Sequence, residues 1–389
     1  MVMDRSTREE AVALLALKAL PGIGDRGVDR LVRRFGSGVE TLAASRPAFR
    51  EVLGRSRGKR LVDRETAERL VLSALSQGVG VHPRGSIHYP DALLQLADPP
   101  PVLFTAGDVS LMRAPRCVAV VGSRRASTYG RRMAYRLAAR WAAEGHVVVS
   151  GLALGVDGAA HEGALAGGGG TVAVLGSGVD QPTPRTHLSL AERVRERGLL
   201  LSEFSPGTRA RPHHFPQRNR VMAALSHAVV VVEGARGSGA LITVDHALDL
   251  GRDVFALPGP VDRPQSEAAN ALIRDGAHAV LDPGDLARVM GWTVPGSGRE
   301  GAQPRERPEP DPAGPPPGGG PDARQFETRD TTADPLRRAL VGGIDRAEDL
   351  AAHLGRPLRE VLVGLARLEL AGLIRRDEAG RYLIAGHPW

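Results

Sequence analysis

Seven short apolar runs, rich in β-branched residues, recur along the middle of the chain with helix-length segments between most of them. This alternation is typical of βα units that build a doubly wound parallel sheet, and unbroken apolar strands indicate that helices cover both faces. The pattern therefore predicts an α/β fold. The strands are placed at 102–105, 117–121, 147–150, 171–175, 199–202, 228–233 and 253–257.

Small residues follow nearly every one of these predicted strands. Open α/β sheets bind ligands outside the carboxyl ends of their strands, where free N–H groups of the following helices suit phosphate. Short βα turns also favour glycine for backbone reasons alone, so no single turn is decisive. Their accumulation at one rim favours an anion site. The turns are Gly122-Ser123-Arg124, Gly151-Leu152, Gly176-Ser177-Gly178, Glu203-Phe204, Glu233-Gly234 and Pro258-Gly259.

Composition divides the chain into four parts. Residues 293–332 contain almost no apolar residue and many prolines and glycines, so a disordered linker is predicted there. Before it, residues 1–80 form a predicted helical domain and residues 81–292 the sheet domain. After it, residues 333–389 show three helical patterns and then a predicted hairpin, an order that resembles a winged helix.

The N-terminal helical domain contains a helix break at Pro21-Gly22-Ile23-Gly24. Helical periodicity precedes and follows this break, which is similar to a helix-hairpin-helix, or SAM-like, arrangement. In such a hairpin the glycine N–H groups approach a nucleic-acid phosphate without reading bases. The alternative interpretation is a packing turn within an ordinary helical domain.

Composition also excludes several classes of function. The formal net charge of +7 favours a polyanionic partner, yet all but two of the 51 basic residues are arginine. Neither Lys18 nor Lys59 lies in a Walker A motif, which excludes a P-loop ATPase. The two G-x-G-x-x-G matches, starting at Gly22 and Gly296, do not follow strands, so a nicotinamide cofactor is poorly supported. No cofactor is predicted.

A single cysteine, Cys117, excludes a disulfide scaffold and a multi-thiolate metal site, and no metal ligand set has the required spacing. The longest apolar run, 228–232, is far shorter than the roughly 20 residues that span a bilayer. The N-terminal residues do not resemble a secretory signal. We therefore expect a cytoplasmic protein with no membrane insertion.

A loop before a predicted helix combines an aromatic residue with several cations. Phe215, Arg218, Asn219 and Arg220 lie close together, and Arg211 precedes them. Single-strand sites need cations along the backbone and a ring on which a base stacks. The alternative role for Phe215 is packing at the start of the following helix.

An enzyme remains a second hypothesis. Asp157 and His161 are four residues apart on a predicted helix, and Glu233 ends a strand, so together they could supply a carboxylate and a proton carrier. The alternative is that Asp157 orients a partly buried histidine. A nucleotide-modifying Rossmann enzyme is thus the rival function.

Seven motifs follow one another along the predicted sheet domain. They are Val121-Gly122-Ser123-Arg124, SGLALGVDGAAH at 150–161, TVAVLGSGVD at 171–180, LLLSEFSPGT at 199–208, FPQRNRVMAALS at 215–226, VVVEGARGSGALIT at 230–243 and VFALPGP at 254–260. Together they resemble the DprA/Smf family of DNA-processing proteins, and the resemblance covers about residues 85–290.

The resemblance implies an extended Rossmann fold in a non-enzymatic protein. Such a protein binds and protects incoming single-stranded DNA, usually as a homodimer, and loads the RecA recombinase onto it during natural transformation. It further implies that Gly122, Ser123 and Arg124 hold a phosphate, with Gly151 and Leu152 on the same rim. The residues implied to contact the strand or add a cation or hydroxyl are Phe215, Arg218, Asn219, Arg220, Arg236 and Ser238.

The third C-terminal helix generates a first prediction. It carries Arg359 and Arg367 against Glu360 and Glu369, whereas a helix that reads duplex DNA should be basic. We expect removal of all residues after Thr332 to leave single-strand affinity within about threefold, roughly 0.65 kcal/mol. Titration of both forms with a labelled oligonucleotide checks this. A tenfold loss with dimerisation intact would assign direct DNA binding to this domain.

Overall fold

The computed structural model describes residues 3–54, 63–292, 335–341, 344–370, 373–376 and 381–384. The predicted linker at 293–332 lies outside the described residues. The chain divides into two compact units, 1–297 and 298–389. Within the described ranges, no helix is long and apolar enough to cross a membrane.

Within the described residues, the first unit begins with five helices, which are α1 Arg5–Lys18, α2 Gly24–Phe35, α3 Gly38–Ala43, α4 Arg46–Leu53 and α5 Arg64–Ser76. Asp4 caps α1 by accepting a hydrogen bond from the Thr7 N–H at 2.9 Å. The predicted helix break is observed between α1 and α2. Gly22 and Gly24 there have φ angles of 77° and 57°, which glycine adopts without strain. Whether this hairpin binds DNA stays a prediction.

Nine strands of this unit form one sheet in the order β1-β2-β6-β5-β4-β3-β7-β8-β9. The strands predicted from the apolar runs are confirmed to within two residues at each end, and β1 and β9 are additional. The strands are β1 Gly80–Pro83, β2 Val102–Gly107, β3 Cys117–Val121, β4 Val147–Ser150, β5 Thr171–Val174, β6 Leu199–Ser202, β7 Ala228–Val231, β8 Asp253–Ala256 and β9 His278–Ala279.

The predicted parallel sheet is confirmed for most of its strands, and one edge departs from it. Strands β6, β5, β4, β3, β7, β8 and β9 run parallel, but β2 is antiparallel to both β1 and β6. Parallel neighbours need a crossover, usually an α-helix, to return the chain to the starting end. The connection from β1 to β2 contains only a short 3-10 turn, Asp91–Gln95, and the chain turns back alongside itself.

Seven further α-helices lie in the described part of this unit, and those beside the central strands lie on both faces, as predicted. Alternation along β3 separates the faces: Ala119 packs with Val221 and Val244 on one side, and Val120 packs with Leu137 and Ala160 on the other. The helices are α6 Thr128–Ala143, α7 Val156–Ala166, α8 Leu188–Arg197, α9 His214–Leu225, α10 Gly239–Asp249, α11 Glu267–Arg274 and α12 Gly284–Val289.

The N-terminal helices share a hydrophobic core with the sheet. Leu14 and Leu17 of α1 belong to the same buried cluster as Phe104 of β2 and Leu200 of β6. The domain boundary at residue 80 stays a prediction, because the helices before it pack directly on the sheet edge. This packing brings the start of α2 close to the elements that follow β6.

The described residues of the second unit form three helices and a two-stranded antiparallel hairpin. Leu350 and Leu365 are fully buried in its own core. The predicted order of elements is observed, and the classification as a winged helix stays a prediction. The elements are α13 Pro335–Val341, α14 Ala347–Leu354, α15 Leu358–Leu370, β10 Ile374–Arg376 and β11 Tyr382–Ile384.

Candidate nucleic-acid interface

A cleft of about 600 Å³ opens at the carboxyl ends of β3 and β7. From β3 the chain continues to β4, β5 and β6 on one side, then crosses back to β7 on the other, so the cleft lies where the strand order reverses. Open α/β sheets bind ligands at this point. Eight of the predicted site residues line the cleft, namely Gly122, Ser123, Arg124, Phe215, Arg218, Asn219, Arg236 and Ser238.

The loop after β3 forms one wall of the cleft. Gly122 packs so closely that an added Cβ would lie 2.6 Å from Val156 Cγ2 and 2.8 Å from the Glu233 carbonyl oxygen. The Ser123 N–H donates to that carbonyl at 2.7 Å, which joins the ends of β3 and β7. Only glycine therefore fits at 122, and the exposed Arg124 side chain is held above the rim.

Arg124 and Phe215 form a stacked pair across the cleft mouth. The Arg124 guanidinium carbon lies 4.8 Å from the centre of the Phe215 ring, within the range of a cation–π interaction. The edge of the Phe215 ring packs against Gly176, where an added Cβ would lie only 3.2 Å from Phe215 Cδ1. The two predicted residues therefore form one platform that combines a positive charge with two planar groups.

Arg218 lies at the cleft floor and is buried. Its Nη1 donates to the Val174 carbonyl at 2.8 Å, and the guanidinium covers Gly151 so tightly that a Cβ there would overlap it. Burial lowers the pKa of Arg218 to about 10, against the raising effect of Asp157. Gly151 does not line the cleft itself; its role is to leave room for Arg218.

Asp157 is also buried, and burial raises the pKa of its carboxyl, whereas Arg218 and hydrogen bonds lower it. Its Oδ2 accepts from the Gly151 N–H at 3.1 Å and from the Ala153 N–H at 3.4 Å. The carboxylate thus ties down the loop after β4 at the start of α7. It also balances the buried charge of Arg218.

Leu152 takes a backbone conformation that is rare for its residue type, with a φ angle of 58°. The side chain is fully buried in the core and does not line the cleft. Its N–H donates to His161 Nε2 at 3.3 Å, and its carbonyl bonds His187 Nδ1 at 3.0 Å. We therefore assign Leu152 to shaping the rim rather than to direct contact.

His161 is fully buried and holds this turn in place. The Thr171 hydroxyl donates to the Val148 carbonyl, so it accepts from the Nδ1–H of His161 at 2.8 Å. Both ring nitrogens are then satisfied only in the neutral form. Burial lowers the pKa of His161 to about 3.

Glu233 lies two residues after β7, with its carboxylate turned into the start of α6. It accepts from the Ser127 N–H at 2.8 Å and from the Ser127 hydroxyl at 2.6 Å. A carboxylate is stabilised at a helix N-terminus. Asp157, His161 and Glu233 therefore each bond separate backbone or hydroxyl groups, and no contact joins them into an acid-base pair within the described residues.

A second wall comes from the turn before α10. Ser238 caps this helix by accepting from the Ala240 N–H at 3.4 Å, and Asn219 Nδ2 donates to the Gly239 carbonyl at 3.3 Å. Arg236 is 89% exposed and lies 4.0 Å from Glu267. This wall therefore places an exposed cation, Arg236, beside the N-terminus of α10.

Two other predicted residues do not line the cleft. Arg211 is exposed on the loop before α9. Arg220 is buried on the far side of α9, where it pairs with Glu203 at 2.5 Å, Asp25 at 3.4 Å and Asp98 at 3.5 Å. The predicted contact of Arg220 with a strand is thus corrected to an internal ion network.

Sequence reasoning missed several cleft residues. Met222 lies one turn after Arg218, and its sulfur accepts from Arg218 Nη1 at 3.1 Å. Its i+4 spacing from Arg218 is the one signal that indicated a shared face. Others are uncharged residues that the sequence did not single out, although all but Pro212 lie within the motifs above; they include Pro212, Pro216, Ala235, Ile242 and Thr243.

Comparison of the sequence with known protein families gives a match that includes the cleft residues. The family model of DNA recombination-mediator protein A matches residues 81–291. The DNA processing protein DprA of Bacillus subtilis is 38% identical over 218 residues, which covers 56% of this chain and 73% of that protein.

Two solved structures are also similar. The X-ray structure of DprA from Streptococcus pneumoniae has a TM-score of 0.62 at 31% identity and covers 74% of this chain and 98% of that one. A Helicobacter pylori structure, described as showing the single-stranded DNA binding mode of DNA processing protein A, has a TM-score of 0.50 at 28% identity. It covers 55% of this chain and 95% of that one.

Buried His161 generates a prediction about pH. Below about pH 6.5 the unfolded chain protonates this residue, whereas the folded chain does so only near its lowered pKa of about 3. Stability is therefore lost as the pH falls. In His161→Gln, we expect the drop in the free energy of unfolding between pH 6.5 and 4.5 to be smaller by about 2 kcal/mol.

Urea unfolding at several pH values measures this difference. His213→Gln, at an exposed position, is the control and should keep the wild-type dependence. The same pH dependence in His161→Gln and wild type would mean that His161 is not held neutral.

Proposed function

Because the chain belongs to the DNA recombination-mediator protein A family, we propose that it binds single-stranded DNA in the cleft after β3 and β7. The family consists of recombination mediators, and its membership confirms the prediction that the chain is not an enzyme. The observation that carries the proposal is the Arg124–Phe215 platform at the cleft mouth. It joins the two groups that a single-strand site requires, a cation for phosphate and a planar surface for a base.

Phosphate is best accommodated between Arg124 and the start of α10. The N-termini of α6 and α7 already carry buried carboxylates, from Glu233 and Asp157. Helix α10 has no acidic residue in its first turn and is capped by the Ser238 hydroxyl. Its partial positive charge, with exposed Arg236 nearby, therefore remains available to an anion.

Bases would stack on the platform rather than be read by it. Phe215 and the guanidinium of Arg124 offer flat faces that accept any base. Reading a base requires donors and acceptors placed against its edge. Among the described cleft residues, the side-chain amide of Asn219 is already bonded to Gly239, so little sequence preference is expected.

The recombinase and dimer assignments belong to the same proposal. We propose that the chain acts as a homodimer and transfers the bound strand to RecA, as the family resemblance implies. Exposed apolar side chains on the first unit provide surface for such contacts, since large apolar groups at a surface often mark interfaces. They include Leu248, Val261 and Leu281, which are 60%, 94% and 73% exposed.

The C-terminal unit is proposed to bind protein rather than DNA. Helix α15 exposes Leu358, Leu362 and Val363 by 40%, 43% and 48%. An apolar, electrically neutral helix suits a protein partner better than a polyanion. The winged-helix classification is part of this proposal.

The first test compares single-stranded and duplex DNA. We expect far tighter binding of single strands at equal salt concentration, with similar affinities for oligonucleotides of different sequence. Fluorescence anisotropy with matched labelled oligonucleotides measures this. Equal affinity for the duplex would contradict the proposed site, because the platform can only be reached by unpaired bases.

The second test separates charge from stacking. Arg124→Ala should reduce the slope of log K against log salt by about 0.7, the value for one phosphate contact with a single strand. Phe215→Ala should weaken binding by roughly 1–3 kcal/mol, the range for one stacked base, and keep the slope, because Arg124 retains its charge.

The matched control for this test is Arg193→Ala, which removes one exposed arginine from α8, outside the cleft. It should leave both affinity and slope near the wild-type values. A loss of slope in Phe215→Ala equal to that in Arg124→Ala would refute this division of roles.

A further inference from the structure

Helix α9 carries side chains in two opposite directions. Arg218 and Asn219 line the cleft, whereas Gln217 and Arg220 point to the Glu203 carboxylate that follows β6. Gln217 Nε2 and Arg220 Nη2 both donate to Glu203 Oε2, at 3.1 and 2.5 Å. The orientation of α9 therefore depends on the groups that bind the face carrying Gln217 and Arg220. The position of Arg218 at the cleft floor depends on the same groups.

The N-terminal hairpin supplies one of the groups that hold it. Asp25, in the first turn of α2, lies 3.4 Å from Arg220 Nη2 and 3.0 Å from Lys18 Nζ. The side chains of Arg220, Glu203 and Asp25 are only 5%, 1% and 7% exposed. Charges this deeply buried interact strongly, because little water screens them.

Several atoms of this ion network have no hydrogen-bond partner. Among the described residues these include Nη1 of Arg220 and Oε1 of Glu203, whereas Oδ1 of Asp25 and Nε of Arg220 have ion-pair partners in Lys18 and Asp98, at 3.0 and 3.5 Å. The network is held mainly by charge rather than by a complete set of directed hydrogen bonds. Removal of the Asp25 charge would therefore leave Arg220 balanced by Glu203 and Asp98 alone, and α9 would shift to relieve the change.

We propose that Asp25 and Arg220 form a positioning link through which the N-terminal hairpin sets the geometry of the single-strand cleft. The link rests on the proposed function, since it concerns how that cleft grips its ligand. Arg220 is then a positioning residue that never touches DNA. The hairpin contributes to binding without requiring a DNA contact of its own.

Helix α2 contains a matched control for this link. Asp29, one turn after Asp25, is also buried, and it pairs with Arg84 at 2.5 Å and with Arg33 at 2.8 Å. Among the ion pairs of the described residues, none joins Asp29 to α9. Asp25→Asn and Asp29→Asn therefore remove the same charge from the same helix, but only the first breaks the link to the cleft.

The sign of the expected effect excludes a simple charge explanation. Either substitution makes the protein more basic by one unit, which by itself would strengthen binding to DNA. We expect Asp25→Asn instead to bind single-stranded DNA about tenfold more weakly, equivalent to 1.4 kcal/mol. Asp29→Asn should stay within about twofold of wild type.

Titration of the full chain with a labelled oligonucleotide at several salt concentrations measures these affinities, at a temperature where circular dichroism shows all variants folded. The salt slope of Asp25→Asn should equal that of wild type, because no phosphate contact is lost. A reduced slope would instead assign the hairpin to direct phosphate contact and overturn the positioning role.

Hydrogen exchange of the α2 amides supplies a second measurement. A merely structural role of Asp25 would not alter the effect of bound DNA on this exchange. Coupling is reciprocal, so DNA bound in the cleft should slow exchange of the α2 amides in wild type and in Asp29→Asn. In Asp25→Asn this protection should disappear. If Asp25→Asn does not fold, the absence of α2 protection in wild type would still overturn the proposal.

Failure of the proposed function and failure of the Asp25–Arg220 link give different results. If wild type does not bind single-stranded DNA, the proposed function is wrong and the link falls with it. If wild type binds and Phe215→Ala weakens it, but Asp25→Asn and Asp29→Asn behave alike, the proposed function stands and the link is refuted.

Discussion

The cleft depends on two buried guanidinium groups on one helix. Arg218 is balanced by Asp157 beneath the cleft, and Arg220 by Glu203 and Asp25 on the opposite face of α9. A buried charge is tolerated only beside an opposite one, so each arginine constrains the elements around it. The loop after β4, the end of β6 and the start of α2 are all held in place by this requirement.

The pairing of opposite charges also decides where positive charge remains at the rim of the cleft. The N-termini of α6 and α7 are neutralised by carboxylates of the protein, whereas α10 is capped by a hydroxyl. Positive potential is therefore concentrated on one side of the cleft, near Arg236 and Arg124. A protein with a modest overall net charge of +7 can in this way present a strongly local site for a polyanion.

Much of the fold could be predicted because its signals are local. Apolar runs mark the strands, and glycine at 122 and 151 marks places where the backbone must pass close to another group. Strand direction at the β1–β2 edge could not be predicted, because it depends on whether a connecting segment crosses the sheet. A short connection precedes β2, which runs antiparallel to both of its neighbours where a parallel strand was predicted.

The candidate site, like the fold, was predictable only where its signals are local. By itself the sequence determined the family motifs, the rim of small residues and the presence of Phe215 among cations. Only the tertiary structure decided what each cation does. Arg218 and Arg220 are two residues apart in one motif, yet the first lines the cleft and the second pairs with a carboxylate 195 residues away. Helical rotation separates the two side chains, and the partner on each face comes from a distant segment, which no local pattern specifies.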